Sequence, residues 1–518
     1  MRRLCVLMAT EGTYPFHKGG VSTWCHVLTQ QLPDVDFKLF AVVANPYQMP
    51  CYDLSENVRD VIKVPLWGTA DPVEFSWRSP FSQALKSKFE TTPLIIKTHF
   101  VPLFESFLRA ILFENVEMSV LGKLLVEFHE YFQRYDYHKS MSAVATWAAF
   151  QRITLDNWQY QYDPQSIILT DLTEIMGLLY RLLLPIQVPI PDDVDMTHSS
   201  AAAFCGLACV IAKIQKGIPY LLTEHGINIR EQYLNLIQNI KADFTRQFLY
   251  RLMRSVVKLN FHFADIVSPV CEFNARWERW WGVPQEKIKV IYNGADPEKF
   301  HPTPPTKKER PVVMNMGLIF PLKGQLDLIK AAAIVRDTVP DVEFRFYGRP
   351  SDDKYFAECE KCVKHHNLEN TINFAGFISE PWRAYSEADV VAMSSISEGF
   401  PFAIIEAMLS GATIVSTDVG GVSEAIGDTG LMVRAGCPEQ MAEAILKLLL
   451  LSDDERSKFG QRALDRSLSL FTQQTCLDEH RKLYHALCNP SSVPTPSLPE
   501  PILMPSLKSH SIPQLTYA

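Results

Sequence analysis

Along residues 4–43 the apolar pattern changes period twice. Leu4 to Ala9 is a short apolar run that reads as a strand, Val21 to Leu32 is amphipathic at helical spacing, and Phe37 to Val43 is strand-like again. The loop Glu11-Gly12-Thr13-Tyr14-Pro15-Phe16-His17-Lys18-Gly19-Gly20 joins the first two, so the chain opens as a βαβ unit. From about Phe81 to Leu184 the pattern turns helical and aromatic with few strand signals, as an insert in a first domain would. Alternation resumes near Asp195. A small-residue helix from Ser200 to Lys213, a strand from Tyr220 to Thr223, two longer helices reaching His262, a strand at Ile266 to Val267, a Trp-rich helix and a strand from Ile288 to Ile291 follow in order.

The segment Pro302 to Pro311 has the composition of a turn and linker. Beyond it stands a cleaner array: strand Val312 to Met316, helix Gln325 to Val335, strands Val342 to Tyr347, Thr371 to Phe374 and Val390 to Met393, helix Phe402 to Leu409, strand Thr413 to Ser416, and a final pair of helices. Strands separated by helices of this length predict parallel sheets with right-handed crossovers. The expected division is an N-terminal Rossmann-like domain over residues 1–300 with its helical insert at about 81–184, a C-terminal Rossmann-like domain over 301–470, a last helix over 471–489, and a disordered tail over 490–518 that carries seven prolines. Two doubly wound domains facing a central cleft hold ligands at the carboxyl ends of their strands, so the chemistry is sought in strand-to-helix loops.

At 518 residues and 47% hydrophobic content the chain can bury two or three cores. Its 58 acidic and 50 basic residues are spread without runs, which removes the electrostatic footprint of a nucleic-acid binder and leaves any phosphate-bearing ligand to be held locally. Met1-Arg2-Arg3 resembles a signal peptide only in its basic residues, because the apolar run after it ends at Thr10-Glu11. The most apolar later stretch, Ile167 to Ile190, is broken by Asp171, Glu174, Arg181 and two prolines, so no membrane span is expected. Eleven cysteines, with a lone Cys-x-x-Cys at Cys359 and Cys362, fit a reduced, cytoplasmic chain without a zinc site.

The most informative segment is Ser397-Glu398-Gly399-Phe400-Pro401-Phe402-Ala403-Ile404-Ile405-Glu406-Ala407-Met408. It leaves a strand and enters a helix with Pro401 near its start, and Glu406 is the only charge before Ser410. A helix apolar on nearly every face is buried, so its carboxylate needs donors; sugar hydroxyls would serve, as would a lysine or a helix cap. Glu398 precedes Gly399 where amides at a helix N-terminus can hold hydroxyls or phosphate oxygens, though first-turn carboxylates also simply favour the dipole. Gly19 and Gly20 open the helix of the βαβ unit and let a diphosphate approach the backbone. Lys323 closes the first strand-to-helix loop of the second domain, where it can neutralise phosphate charge or stand as an ordinary exposed lysine.

Together these residues resemble glycosyltransferase family 4. Glu398 and Glu406, with seven residues between them, followed by Gly411, Gly420-Gly421 and Glu424, match its signature. The stretches Glu11 to Pro15, Gly19 to Trp24, Thr223-Glu224-His225-Gly226-Ile227 and Tyr292-Asn293-Gly294-Ala295-Asp296 are similar to its PelF branch, which makes Pel exopolysaccharide, and the resemblance spans roughly residues 4–488.

That resemblance implies a GT-B fold, with an acceptor-side first domain, a nucleotide-sugar-binding second domain and a last helix that crosses back. It implies a UDP-sugar donor, glucose in this branch, and a glycan or other hydroxyl acceptor, with no cofactor and no metal. Gly19, Gly20, Lys323, Glu398, Gly399, Phe400, Pro401, Phe402, Ala403 and Glu406 would bind the donor: Glu406 the ribose hydroxyls, Lys323 the diphosphate, Glu398 the transferred sugar, and the stretch Gly399 to Ala403 through the amides of its backbone, Pro401 having none to donate. His225, Glu398 and Lys323 would carry catalysis, and His198 would stand on the acceptor side. Retention is attributed in this family to attack from the face the diphosphate leaves, the phosphate taking the proton. The resemblance is compatible with peripheral association with a membrane complex.

Two features pull elsewhere. Family members carry an arginine where this chain has Leu318, so Arg349 or Arg383 substitutes, or the protein is a weakly active or inactive nucleotide-sugar-binding or assembly protein. Asp193-Val194-Asp195 has the spacing with which another transferase class holds a divalent metal, a short match that arises often by chance.

Overall fold

The computed structural model describes residues 2–68, 80–112, 116–159, 167–303 and 308–489. The proline-rich tail at 490–518 lies outside them.

Two six-stranded parallel sheets organise the chain. The first contains β1 (Leu4–Glu11), β2 (Val35–Val43), β3 (Val58–Pro65), β4 (Met196–Ser199), β5 (Tyr220–Glu224) and β6 (Ile266–Pro269), in the order β3-β2-β1-β4-β5-β6. The second contains β7 (Val312–Met316), β8 (Glu343–Tyr347), β9 (Ile372–Gly376), β10 (Val390–Met393), β11 (Ile414–Thr417) and β12 (Leu431–Val433), in the order β12-β11-β10-β7-β8-β9. Counted from its own first strand, each sheet has the same doubly wound order. The winding reverses between β1 and β4 and again between β7 and β10, and at such reversals a crevice opens beyond the carboxyl ends of the strands.

The central strands are apolar at successive positions because helices cover both of their faces. Val6, Leu7, Met8 and Ala9 of β1 are all fully buried. β3 and β12 were not anticipated. Both are edge strands, half exposed along much of their length, and an edge needs little apolar residue to pair on one side.

The connection from β3 to β4 carries helices Phe81–Glu90, Val101–Leu112, Met118–Arg134, Tyr137–Met141, Val144–Gln159 and Leu169–Leu182. Phe104, Phe128 and Phe150 from these helices, with Phe100 just before the second, lie in one buried cluster with Leu7, Ala9 and Phe40 of the first sheet. The aromatic richness is thus a packing device. Each such ring withdraws about 150–250 Å² from water, at about 25 cal/mol per Å².

Two expectations are corrected here. Ile288 to Ile291 is not a strand: it runs beside β6, with Lys289 N donating to Val267 O at 3.0 Å and Ile291 N to Pro269 O at 3.1 Å, but forms a single bridge before the chain leaves for the second domain. The small-residue helix starts at Leu207, not Ser200, because residues 200–206 first make a loop and a short 3-10 turn after β4.

The chain passes between the domains twice, and the two passages lie side by side. Ala295 N donates to Phe471 O at 3.1 Å and Gln473 N to Ala295 O at 2.8 Å. A Cβ on Gly294 would stand 2.2 Å from Thr472 O, so this approach requires glycine. The helix Gln473–Cys488 then packs on the first domain, where Leu477, Leu483 and Tyr484 share a core with Val6, Trp24 and Leu221. Among the described residues no helix is long and apolar enough to cross a membrane.

Candidate functional site

The loops leaving β1, β5, β7 and β10 meet in one cleft. Gly20, first residue of the helix Gly20–Gln31, faces Phe402 at the start of Phe402–Leu409: a Cβ on Gly20 would lie 3.6 Å from the Phe402 ring. Gly399 touches the opposite domain more closely still. A Cβ there would be 2.0 Å from His225 O, so only glycine lets the β10 loop rest on the β5 loop. Phe400 is buried and Asn293 Nδ2 donates to its carbonyl at 3.0 Å, which fixes the turn before Pro401 and Ala403.

Lys323 and Glu398 form the charged centre of this cleft. Lys323 Nζ donates to Glu398 Oε1 at 2.5 Å, and Ser395 Oγ donates to the same oxygen at 2.6 Å. The lysine is held from behind by Ser394 Oγ, which donates to its carbonyl at 3.0 Å, and Gly324 follows at φ 63, where a Cβ would strike Ser394 O. An exposed lysine would keep its freedom; this one is fixed.

Glu406 is half buried in its helix and accepts a hydrogen bond from Tyr385 Oη at 3.0 Å on Oε2. Burial pushes its carboxyl up to about 7, against the downward pull of Tyr385 and of Lys299. The donor that answers it is therefore a tyrosine rather than the lysine or cap weighed from sequence. Tyr385, from Pro381–Glu387, escaped the sequence reading because it reaches Glu406 from another element.

His225 stands at the end of β5 with its ring edge-on to Trp24, centroids 4.6 Å apart. Its Nε2 is buried without a hydrogen-bond partner, and burial, reinforced by His480, holds the imidazole down at about 3, so it is neutral at ordinary pH. The preceding Glu224 accepts from Ala202 N at 2.5 Å, and burial raises its carboxyl to about 8 despite the amides of Ala202 and Asn228. Its adjacency to His225 at a strand end was the signal that could have singled it out.

His198 is corrected. It is fully buried in β4, with Nδ1 at 2.8 Å from Tyr484 Oη and Nε2 at 2.8 Å from Thr223 Oγ1, so both ring nitrogens are engaged in tying the last helix to the first sheet. The Asp193/Asp195 pair also lies elsewhere: Asp195 precedes β4 and accepts from Cys5 N at 2.8 Å and from Arg2, while Asp193 pairs with Lys38 at 2.5 Å. These are the amino ends of the strands, opposite the cleft.

Leu318 is 46% exposed in the β7 loop. Neither arginine considered in its stead is drawn to the Lys323–Glu398 pair: Arg349 stacks over Phe377 at 4.7 Å and Arg383 pairs with Glu380 at 3.1 Å. Arg230, which the sequence reading passed over, does reach this turn, donating from Nη1 to Ser397 Oγ at 3.0 Å.

Comparison with known proteins bears on the family and the fold. Residues 4–286, more than half of the chain, match the family model described as Domain of unknown function (DUF3492), and residues 296–466 match Glycosyl transferases group 1. The chain is similar to D-inositol 3-phosphate glycosyltransferase of Corynebacterium glutamicum (strain R), 32% identical over 200 residues, 35% of this chain and 48% of that one. It is also similar to MMP alpha-(1->4)-mannosyltransferase of Mycolicibacterium hassiacum, 27% identical over 291 residues, 55% and 68% of the two chains. The chain spans about half the length of the first of these curated relatives. Among solved structures, sucrose-phosphate synthase from Thermosynechococcus elongatus superposes with a TM-score of 0.59 at 18% identity, over 94% of this chain and 99% of that one. Anabaena HepE in complex with UDP and glucose gives 0.56 at 16%, over 95% and 100%. At such identities the likeness is one of fold, that of two facing doubly wound domains known as GT-B. The chain belongs to the family described as Domain of unknown function (DUF3492), joined to a glycosyl transferases group 1 domain in a GT-B fold.

Proposed function

We propose that the protein is a retaining, metal-independent glycosyltransferase of the family 4, PelF-like kind, moving a hexose, glucose by preference, from a UDP-sugar to a hydroxyl of a glycan or similar acceptor. The observation that carries this reading is the Lys323–Glu398 pair set against His225 across Gly399, where the reversal points of two doubly wound sheets meet. The relatives named as glycosyltransferases, and HepE with its UDP and glucose, support it.

In this reading the ribose hydroxyls donate to Glu406, which already accepts from Tyr385 on Oε2, and the diphosphate lies between Lys323 and the amides that begin at Gly19 and Gly399. As the bond from the anomeric carbon to the phosphate oxygen breaks, negative charge grows on the leaving diphosphate and Lys323 stabilises it. Glu398 then faces an oxocarbenium-like sugar. The acceptor oxygen bonds to the anomeric carbon from the face the phosphate has left, and its proton passes to that phosphate. A neutral His225 can hydrogen-bond a sugar hydroxyl without adding positive charge beside the forming cation. Because Asp193 and Asp195 are already committed to Lys38, Arg2 and a backbone amide, they favour the metal-free form. A reduced, cytoplasmic setting fits its free cysteines, and peripheral recruitment to a membrane complex is part of the same proposal.

The test is release of UDP from a panel of UDP-sugars incubated with the purified protein, with and without EDTA. Turnover of one donor that survives chelation is expected; turnover abolished by EDTA and restored by manganese would overturn the metal-free mechanism. Leu318 favours one second reading, a sugar-nucleotide-binding or assembly protein, for which tight UDP binding with neither transfer nor hydrolysis is the mark.

A further inference from the structure

We infer that Arg230, contributed by the first domain, is the second cation of the diphosphate site and takes the place of the arginine missing at position 318. The inference rests on the donor reading above. Arg230 is the third residue of the helix Asn228–Asn239, which begins directly after His225-Gly226-Ile227. Its guanidinium crosses the cleft to the turn that carries Glu398, binding the hydroxyl of Ser397 at 3.0 Å.

That partner matters because it is neutral. Among the described residues Arg230 forms no ion pair with a carboxylate within 4.0 Å, whereas Lys323 at the same turn is paired with Glu398 at 2.5 Å. The site therefore holds one compensated cation and one that is positioned but not neutralised by direct contact. A guanidinium is a planar fork whose donors match phosphate oxygens in pairs, so an arginine here supplies what a second lysine would supply less well. The fields also run through this point: burial raises the carboxyl of Glu231, and the charges of Arg230 and Glu398 both act on it, the first lowering and the second raising it.

Other cations are placed differently. Arg349 is stacked on Phe377, Arg383 is paired with Glu380, and Lys299 lies over Trp382 at 4.8 Å, on the Glu406 side. Lys18, in the loop before Gly19, makes no hydrogen bond or ion pair with the Glu398 turn among the described residues. Supplying the two charges from opposite domains has a consequence that a pair in one loop lacks: the diphosphate is gripped fully only while the domains are together.

Calorimetric binding of UDP, UMP and uridine to the full chain tests this. Arg230→Ala should weaken UDP about 10- to 100-fold, as loss of a charged hydrogen bond does, and leave uridine unchanged. Arg230→Lys should fall between the two, and Leu318→Arg placed on Arg230→Ala should recover most of the loss, an outcome that a merely structural arginine would not give. Lys18→Ala is the control for any nearby cation. Unchanged UDP affinity in Arg230→Ala, an equal loss for uridine, or no recovery by Leu318→Arg overturns the inference. Wild-type protein that binds neither UDP nor uridine overturns the donor reading itself.

Discussion

Lys323 Nζ and Glu398 Oε1 stand 2.5 Å apart, so the cation assigned to the diphosphate and the carboxylate assigned to the sugar are one ion pair. Breaking it from either end should have different effects. Lys323→Ala is expected to lower kcat/KM by about 100- to 1000-fold, the range for losing one preorganised electrostatic donor. Glu398→Ala should lower kcat with UDP affinity held within about threefold, since the nucleotide is gripped elsewhere. Steady-state release of UDP and calorimetry separate the two, and a selective loss of UDP affinity in Glu398→Ala would reverse the assignments.

With Glu406 on the ribose, as proposed, donor binding should depend on pH. Its carboxyl is raised to about 7 by burial, and the ionised form is the better acceptor for ribose hydroxyls. Protonation then competes with the nucleotide, so UDP affinity should be level above about pH 8 and fall by up to tenfold per unit below about pH 7. Glu406→Gln should bind more weakly than wild type above about pH 7, converge with it at lower pH, and lose the slope. An unchanged slope in that variant would assign the titration to another group.

Gly399 is a steric requirement. Its hypothetical Cβ, 2.0 Å from His225 O, meets backbone that cannot rotate away. Gly399→Ala should therefore push the β10 loop off the β5 loop and reduce turnover about a hundredfold, as an ångström-scale misplacement of reacting groups does, while the folded fraction measured by circular dichroism stays near wild type. Full activity would mean that the two loops separate during turnover.

Glu278 predicts a pH-dependent stability. It is buried beside Glu224, both of its oxygens lack partners, and its carboxyl is raised to about 9 by burial and by Glu224. A carboxyl whose folded value lies above its unfolded one stabilises the fold fully below the unfolded value near 4.5, and that contribution drains away as pH climbs toward about 9. Glu278→Gln keeps the shape and cannot ionise, so its Tm should exceed wild type by a few degrees at about pH 8 and by less at about pH 5. Equal differences at both values would mean that a counter-charge accompanies the native carboxylate.

The doubly wound architecture was legible because buried parallel strands such as β1 and β10 write themselves as apolar runs between helices. Strands β3 and β12 were not, since Arg59, Asp60 and Lys63 interrupt the apolar run of the first and the second is only three residues long. The same contrast holds at the cleft. Glu398, Gly399 and Glu406 lie on one short segment and announce themselves by spacing, and the structure brings Gly20, His225 and Lys323 to them. Tyr385 and Arg230 act through partners distant in sequence, at Glu406 and Ser397, and no local pattern reports such a meeting. His198 was placed on the acceptor side by resemblance alone, and its partners Tyr484 and Thr223, far apart in sequence, are visible only in the fold.

The last helix belongs by sequence to one half of the molecule and by packing to the other. A ribosome delivers residues 473–488 after both sheets, so the core that Val6, Trp24 and Leu221 share with Leu477 and Tyr484 cannot close until synthesis is nearly finished. The half made first is the half completed last. A truncation before this helix would leave the earlier domain with an open apolar face, and cutting the linker once would not yield two self-sufficient pieces.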